Sequence, residues 1–255
     1  MLISVINHTD GQIADEEVQH VIRAINQQIE GDFDPYWSIG ARLRLEGKSQ
    51  EDPDAQDPED MRGDAVLYLW NETDVPGALG YHANNFDGVP YGFVFTELAA
   101  TLNETWSVTM SHEALEMIAD PQINLLVDGP HPNGSGRFVF HWYEMCDAVQ
   151  AETYEIGGVE VSNFVLPLYF TGEDERGGRN DYLGRRHDGE SLHSFGINPG
   201  GYVGFYDPQL GGHDTFSRQD DELAQRRLEI KGKAQLARRS VRYQRRAQQY
   251  RPKVS

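Results

Sequence analysis

The chain has 255 residues and a formal net charge of −19, with 41 acidic and 22 basic side chains. A chain of this length can bury one large core, so we expect a single main domain. The acidic balance argues against nucleic-acid binding by the main body, and no apolar run is long enough to cross a membrane. Since Cys146 is the single cysteine and the N-terminus lacks the pattern of a signal peptide, we expect a soluble, unexported protein without an internal disulfide.

The first 95 residues combine one helical pattern with several short apolar runs. Apolar residues recur at helical spacing between residues 15 and 29, and Gly31 to Pro35 predicts the end of this helix. Residues 47–64 are rich in Asp, Gln and Pro and predict a solvated loop. The predicted strands are residues 2–6, 39–45, 65–70 and 89–95, the last being an edge strand or a strand that starts at its proline.

A mostly apolar helix is predicted at residues 106–120, ending before Pro121. Beyond it we expect strands within residues 137–145, 154–166 and 200–205, separated by Gly- and Pro-rich loops. The fold class is therefore α/β or α+β. Residues 1–120 hold a sheet and the apolar helix, residues 121–219 form a β- and loop-rich part, and residues 220–255 form a basic helical tail.

The helix at residues 106–120 carries its ionisable side chains in one stripe. His112 and Glu116 are four residues apart and lie on the same face, so together they can hold one ion. Glu113 lies about 100° further round the helix, beside such an ion, where a catalytic base would act. Asp120 extends the stripe. The opposite side is apolar and consists of Ala114, Leu115, Met117, Ile118 and Ala119. We therefore predict a buried helix whose polar stripe faces a cavity.

The pattern His112-Glu113-x-x-Glu116 resembles the His-Glu-x-x-His signature of zincin metallopeptidases, with Glu116 in the place of the second histidine. The resemblance implies a zincin-like fold, in which a twisted mixed sheet packs on the active-site helix and its edge strand pairs with substrate. Residues 88–95 would be that edge. It also implies that His112 and Glu116 bind zinc and that Glu113 polarises the attacking water.

The same resemblance implies a third metal ligand further along the chain, and residues 143–147 hold three candidates. We favour Glu144, as in the glutamate-ligand branch of the zincins, with Asp147 orienting the ring of His112. Asp147 as the ligand itself is an open alternative. Cys146 is a softer option, although a lone cysteine more often serves as a small buried apolar residue.

Glu116 in place of an imidazole changes the expected metal preference. One histidine and two carboxylates give the ligands a charge of about −2 instead of about −1, which weakens the acidification of bound water. Carboxylates also shift the preference toward harder ions. We expect zinc, with Mn²⁺ or Ca²⁺ as alternatives.

Other motifs carry less weight. Gly134-Ser135-Gly136 lacks the strand-to-helix setting of a nucleophile elbow, and no phosphate loop or dinucleotide fingerprint occurs, which argues against a serine hydrolase or a nucleotide enzyme. Six further histidines are predicted to be loop or surface residues and not metal ligands. They are His82, His131, His141, His187, His193 and His213. His141 is the first exception to consider as a ligand, because it adjoins the strand of Glu144.

The C-terminal segment 226–253 holds 11 of the 22 basic residues and one acid, Glu229. We expect this segment to contact an acidic protein surface, either on its own chain or on another subunit, in preference to nucleic acid. A membrane partner is not expected.

Two functions follow from these patterns. The first is a metal-dependent hydrolase, specifically a zinc metallopeptidase acting on a peptide or protein. The second is a noncatalytic assembly protein that keeps a zincin-like fold.

The phrases Ser-His-Glu-x-x-Glu, Tyr-Glu-x-Cys-Asp and Val-Ser-Asn-Phe-Val-x-Pro resemble those of uncharacterised bacterial and phage proteins over about residues 1–205. That resemblance implies a cytoplasmic or virion-associated location.

Overall fold

The N-terminal part is built on a five-stranded sheet. In the computed structural model, residues 1–46, 63–72, 79–84, 88–101, 104–171, 178–218 and 221 are described. The strands are β1 (Leu2–His8), β2 (Arg42–Glu46), β3 (Ala65–Trp70), β4 (Gly80–Asn84) and β5 (Pro90–Phe95). Their order is β2-β1-β3-β5-β4. In this order the first four strands, β2, β1, β3 and β5, run parallel to one another. β4 pairs antiparallel with β5 and is the last strand of the sheet.

These sheets and helices are compatible with the expected mixed α and β class. The prediction of an edge strand at residues 88–95 is wrong, whereas the alternative, a strand that starts at its proline, is confirmed. β5 is interior, because β3 pairs with one of its sides and β4 with the other. Pro90 is its first residue, a position where the missing backbone donor is tolerated. The edge strand is β4, whose glycine and asparagine gave no β signal in the sequence.

The described residues form four α-helices, namely α1 (Asp15–Gln28), α2 (Asp34–Trp37), α3 (Thr96–Thr101) and α4 (Trp106–Ala119). The predicted break after α1 is wrong, since a π-helical turn at Ile29–Phe33 leads directly into α2. Pro35 is accommodated because it lies in the first turn of α2, where its missing N–H has no helical partner. The helical segment ends at Ser38, whose φ is 54°, and β2 therefore begins later than predicted.

The second part consists of short strands, as expected from its sequence, and their pairings are antiparallel. Its strands are β6 (Leu126–Pro130), β7 (Phe138–Trp142), β8 (Thr153–Ile156), β9 (Val159–Ser162), β10 (Arg186–His187), β11 (Glu190–Ser191), β12 (Val203–Asp207) and β13 (Gly212–Phe216). Four of them form a sheet with the order β13-β12-β7-β6, while β8 pairs with β9 and β10 with β11. A 3₁₀ turn at Asp147–Val149 follows β7 closely.

Helix α4 lies between the two parts, and 12 of its 14 residues are buried. It packs against β4 and β5 on one side and against β9 on the other. Gly80 permits the close approach of β4, because a Cβ there would lie 2.7 Å from Cγ2 of Thr109 and 3.0 Å from Cγ of Glu113. On the β9 side, the backbone N–H of Ser162 donates to Oγ of Ser111 at 2.7 Å. These contacts hold the helix in register with both parts.

The larger apolar core runs through both parts of the chain, from Ile3 in β1 to Val203 in β12. Within the described ranges, no helix combines the length and the apolarity needed to cross a membrane. The predicted loop at residues 47–64 lies outside the described residues except for Gly63 and Asp64. The predicted tail at residues 220–255 lies outside them except for Asp221.

Candidate metal centre

The ionisable stripe of α4 is buried, as its sequence predicts. His112 has 8% of its surface exposed, Glu113 6% and Glu116 4%. Nε2 of His112 lies 3.1 Å from Oε1 of Glu116, one turn further along the helix. The i, i+4 spacing therefore brings an imidazole nitrogen and a carboxylate oxygen within reach of a single ion.

Asp147 approaches the same histidine nitrogen from the opposite part of the fold. It begins the 3₁₀ turn after β7, and its Oδ1 lies 3.4 Å from Nε2 of His112. The backbone carbonyl of Asp147 accepts a hydrogen bond from the N–H of Tyr202 at 3.1 Å, which fixes the turn. Asp147 thus faces the nitrogen that Glu116 also faces.

His82 belongs to this site, and its interpretation as a loop or surface residue is wrong. It lies on the edge strand β4 and is 4% exposed. Its Nδ1 lies 3.1 Å from Oε2 of Glu113 and 3.9 Å from Oε2 of Glu116. Gly80, His82 and Asn84 share one face of β4, but the sequence gave no strand signal here, since the strand begins with glycine and ends with asparagine.

Glu144 reaches the site from the other side of the His82 ring. Its Oε2 lies 3.8 Å from Nε2 of His82, and 22% of its side chain is exposed. The two acids predicted at residues 143–147 therefore both join the site, at different places. Asp147 faces His112, whereas Glu144 faces His82.

Two of the other five histidines that were predicted as loop or surface residues are also buried, so a surface location is wrong for them too. His131 is 8% exposed and His141 is 2% exposed. Nε2 of His141 donates a hydrogen bond to the backbone carbonyl of Pro130 at 2.8 Å. His193 and His213 are exposed, as predicted, and His187 is half-buried beside Glu152.

Cys146 contacts the site mainly through its backbone. Its N–H donates to Oε1 of Glu116 at 3.2 Å, and its Sγ lies 3.9 Å from the carbonyl oxygen of His112. The thiol is buried among core residues, and burial raises its pKa well above the ordinary value. Its complete burial in the core fits the interpretation as a small buried residue, although its Sγ also lies within 4.8 Å of donor atoms of His112 and Glu116.

The site contains more negative than positive charge. We define the central cluster as six side chains, two imidazoles and four carboxylates, of which all but one are buried. They are His82, His112, Glu113, Glu116, Glu144 and Asp147. Burial lowers the pKa of His112, but the carboxylates of Glu116 and Asp147 outweigh this effect and raise it to about 10. Burial also raises the pKa of Glu116. Both shifts indicate a site that favours added positive charge.

The donor atoms of the central cluster fit a divalent ion. Two ligands that each lie about 2.0–2.2 Å from one tetrahedral zinc ion are about 3.3–3.5 Å apart. The separations of 3.1 Å and 3.4 Å from Nε2 of His112 are close to this value. Among the described residues, two groups have three donors within 4.8 Å of one another, and both contain Glu116. They are His112, Glu116 and Cys146, and His82, Glu113 and Glu116, so neither of these two groups includes Asp147 or Glu144.

A small cleft opens beside the central cluster. It is lined by Glu144 and Asp147 together with His141 and the aromatic side chains of Trp142, Tyr169 and Phe170. Two carboxylates of the cluster therefore lie next to aromatic side chains.

Comparisons of this chain with protein-family models, with curated proteins and with solved structures gave no match.

Proposed function

We propose that the chain is a metal-dependent hydrolase that cleaves peptide bonds, with its ion held by His112, Glu116 and Asp147. The observation that carries the proposal is the approach of two buried carboxylates to one imidazole nitrogen, at 3.1 Å and 3.4 Å. Buried charges of this kind require compensation, and a divalent cation supplies it directly. Zinc is the ion expected first, with Mn²⁺ or Ca²⁺ as alternatives because carboxylates predominate.

A bound divalent ion would supply Lewis acidity, polarising a substrate carbonyl and making water more acidic. The remaining steps fall to the side chains. Glu113 adjoins His112 on the helix, and its carboxylate accepts the proton of the attacking water and then gives that proton to the leaving amine. Its contact with Nδ1 of His82 at 3.1 Å holds the carboxylate on the cluster side of the helix.

The sheet edge and the cleft support a peptide as the substrate. β4 is the last strand of its sheet, and it carries His82 into the central cluster. An extended peptide that adds to this edge forms main-chain hydrogen bonds along it and passes the cluster. The aromatic side chains of Trp142, Tyr169 and Phe170 lie next to the cluster, where they would contact a bound peptide.

The first test is metal analysis of the purified protein after incubation with Zn²⁺ and removal of excess ion. The wild type should retain stoichiometric zinc, and His112→Ala should lose at least one equivalent. His131→Gln is the matched control, because His131 is also a buried histidine but lies outside the central cluster. A wild-type protein that retains no stoichiometric metal would contradict the proposal.

The second test is hydrolysis of a mixed peptide library, followed by mass spectrometry. Glu113→Gln keeps the size of the side chain but cannot accept a proton, so cleavage should fall by a factor of about 10² or more. A Glu113→Gln protein with full activity rules out the proposed base. A protein that binds metal but cleaves no peptide supports the noncatalytic assembly function instead.

A further inference from the structure

We propose that the site holds a second divalent ion, bound by His82, Glu113 and Glu116, so that Glu116 bridges two ions. The inference rests on the proposed ion at His112. It adds His82 and the edge strand β4 to the metal-binding residues, and it makes the site one of two-metal type.

The geometry of Glu116 is the first argument. Its Oε1 lies 3.1 Å from Nε2 of His112, while its Oε2 lies 3.9 Å from Nδ1 of His82. The two oxygens of one carboxylate therefore face two different histidines, one on the helix and one on the edge strand. In two-metal sites the ions lie about 3.5–4 Å apart, a separation that a single carboxylate can bridge.

The surroundings of His82 are the second argument. Nδ1 of this ring faces Glu113 at 3.1 Å, and Nε2 faces Oε2 of Glu144 at 3.8 Å. A histidine that binds a metal through one nitrogen usually donates its other ring N–H to a carboxylate, which fixes the ring. Around His82, Glu113 lies on the proposed metal side, and the carboxylate of Glu144 lies on the other side of the ring at 3.8 Å, within ion-pair distance but beyond hydrogen-bond distance.

Charge balance is the third argument. The four carboxylates of the central cluster carry four negative charges when ionised, and Glu144 alone has a side chain that is substantially exposed. One divalent ion compensates half of this charge, whereas two compensate all of it. Because an uncompensated charge in a buried site is strongly unfavourable, the cluster favours the second ion.

The second ion changes the role of Glu113 without removing it from the reaction. One oxygen of its carboxylate binds the ion, and the other accepts the proton from water. Glu113→Gln should therefore lower the metal content as well as the hydrolysis. In a one-ion site the same substitution would leave the metal content unchanged.

The experiment is a titration of the metal-free protein with Zn²⁺, with the bound metal measured by elemental analysis after removal of excess ion. The wild type should bind two ions per chain and His82→Ala one. Asn84→Ala is the matched control, because Asn84 lies on the same face of β4 but hydrogen-bonds to Gln122, and this variant should bind two.

A wild type that binds one ion overturns the second site and leaves the proposed function standing, whereas a wild type that binds none overturns both. The wild-type result does not depend on the folding of any variant. Loading with Mn²⁺ gives an independent measurement, since two ions that share a carboxylate give an exchange-coupled paramagnetic resonance spectrum. Spectra of isolated ions at full loading would contradict the bridge by Glu116.

Discussion

Nδ1 of His82 and Oε2 of Glu113 lie 3.1 Å apart, although 31 residues separate them in the chain. The contact joins the last strand of the sheet to the central helix, so the fold itself assembles the candidate site. A substitution that changes the packing of β4 on α4 should therefore change both the stability of the fold and the affinity for metal.

Metal binding should release protons and should strengthen as the pH rises. His112 binds an ion only as the neutral imidazole, yet its neighbouring carboxylates hold its pKa at about 10 in the metal-free protein. At pH 7 this histidine is protonated, so the apparent affinity should increase about tenfold per pH unit for each proton released. Calorimetric titration in two buffers with different ionisation enthalpies counts these protons. Binding of Zn²⁺ at pH 7 without proton release would contradict the assignment of His112 as a ligand.

Gly80→Ala should destabilise the protein by about 1–3 kcal/mol, because the added Cβ would meet Thr109, Glu113 and the backbone of Phe93 at 3.0 Å or less. It should also weaken metal binding, since it displaces Glu113 from β4. The free energy of unfolding is measured by urea titration. Gly31→Ala is the control, because a Cβ there meets nothing within 4 Å, and it should be neutral or slightly stabilising. Equal effects of the two substitutions would exclude the close packing of β4 on α4 as the cause.

The sequence predicted the local part of the site and missed its nonlocal part. His112, Glu113 and Glu116 lie on one helix, where the geometry of the helix alone fixes their relation. His82 reaches them through the pairing of β4 with β5 and the packing of α4 on both strands. Neither contact leaves a periodic signal in a strand of five residues that begins with glycine and ends with asparagine.

The loop after β7 was predicted in part. The crowding of Glu144, Cys146 and Asp147 pointed to this segment as a source of ligands, and all three lie at the site. Which of them would face His112 depends on the 3₁₀ turn at Asp147–Val149, and spacing alone does not determine such a turn. The sequence therefore identified the segment and left Glu144 and Asp147 as alternative ligands, and the fold places Asp147 beside His112 and Glu144 beside His82.

Cys146 should be unreactive in the folded protein and dispensable for metal binding. The residue is fully buried, and burial raises the pKa of its thiol. We expect no reaction with a thiol reagent at pH 8 under native conditions and complete reaction in guanidinium chloride. Cys146→Ala should keep the wild-type metal content and lose on the order of 1 kcal/mol of stability. Loss of one ion in this variant would make the thiol a ligand after all.

His141 should make the fold less stable in acid. The ring is 2% exposed, lies 4.6 Å from the ring of Phe195, and donates to the carbonyl of Pro130. Burial lowers its pKa below the ordinary value of about 6.5. The unfolded chain therefore binds more protons than the folded one as the pH falls through 6.5, and the contribution of His141 to stability declines there.

His141→Gln provides the comparison, because glutamine keeps an N–H donor but does not titrate. Both proteins retain the central cluster, so its own pH dependence cancels in the difference between them. In the metal-free state the wild type should be more stable than His141→Gln by about 1–2 kcal/mol at pH 7.5, and this difference should shrink steadily toward pH 5. Urea unfolding at three pH values measures it. A difference that stays constant, or grows in acid, would show that His141 is not held in its neutral form by burial.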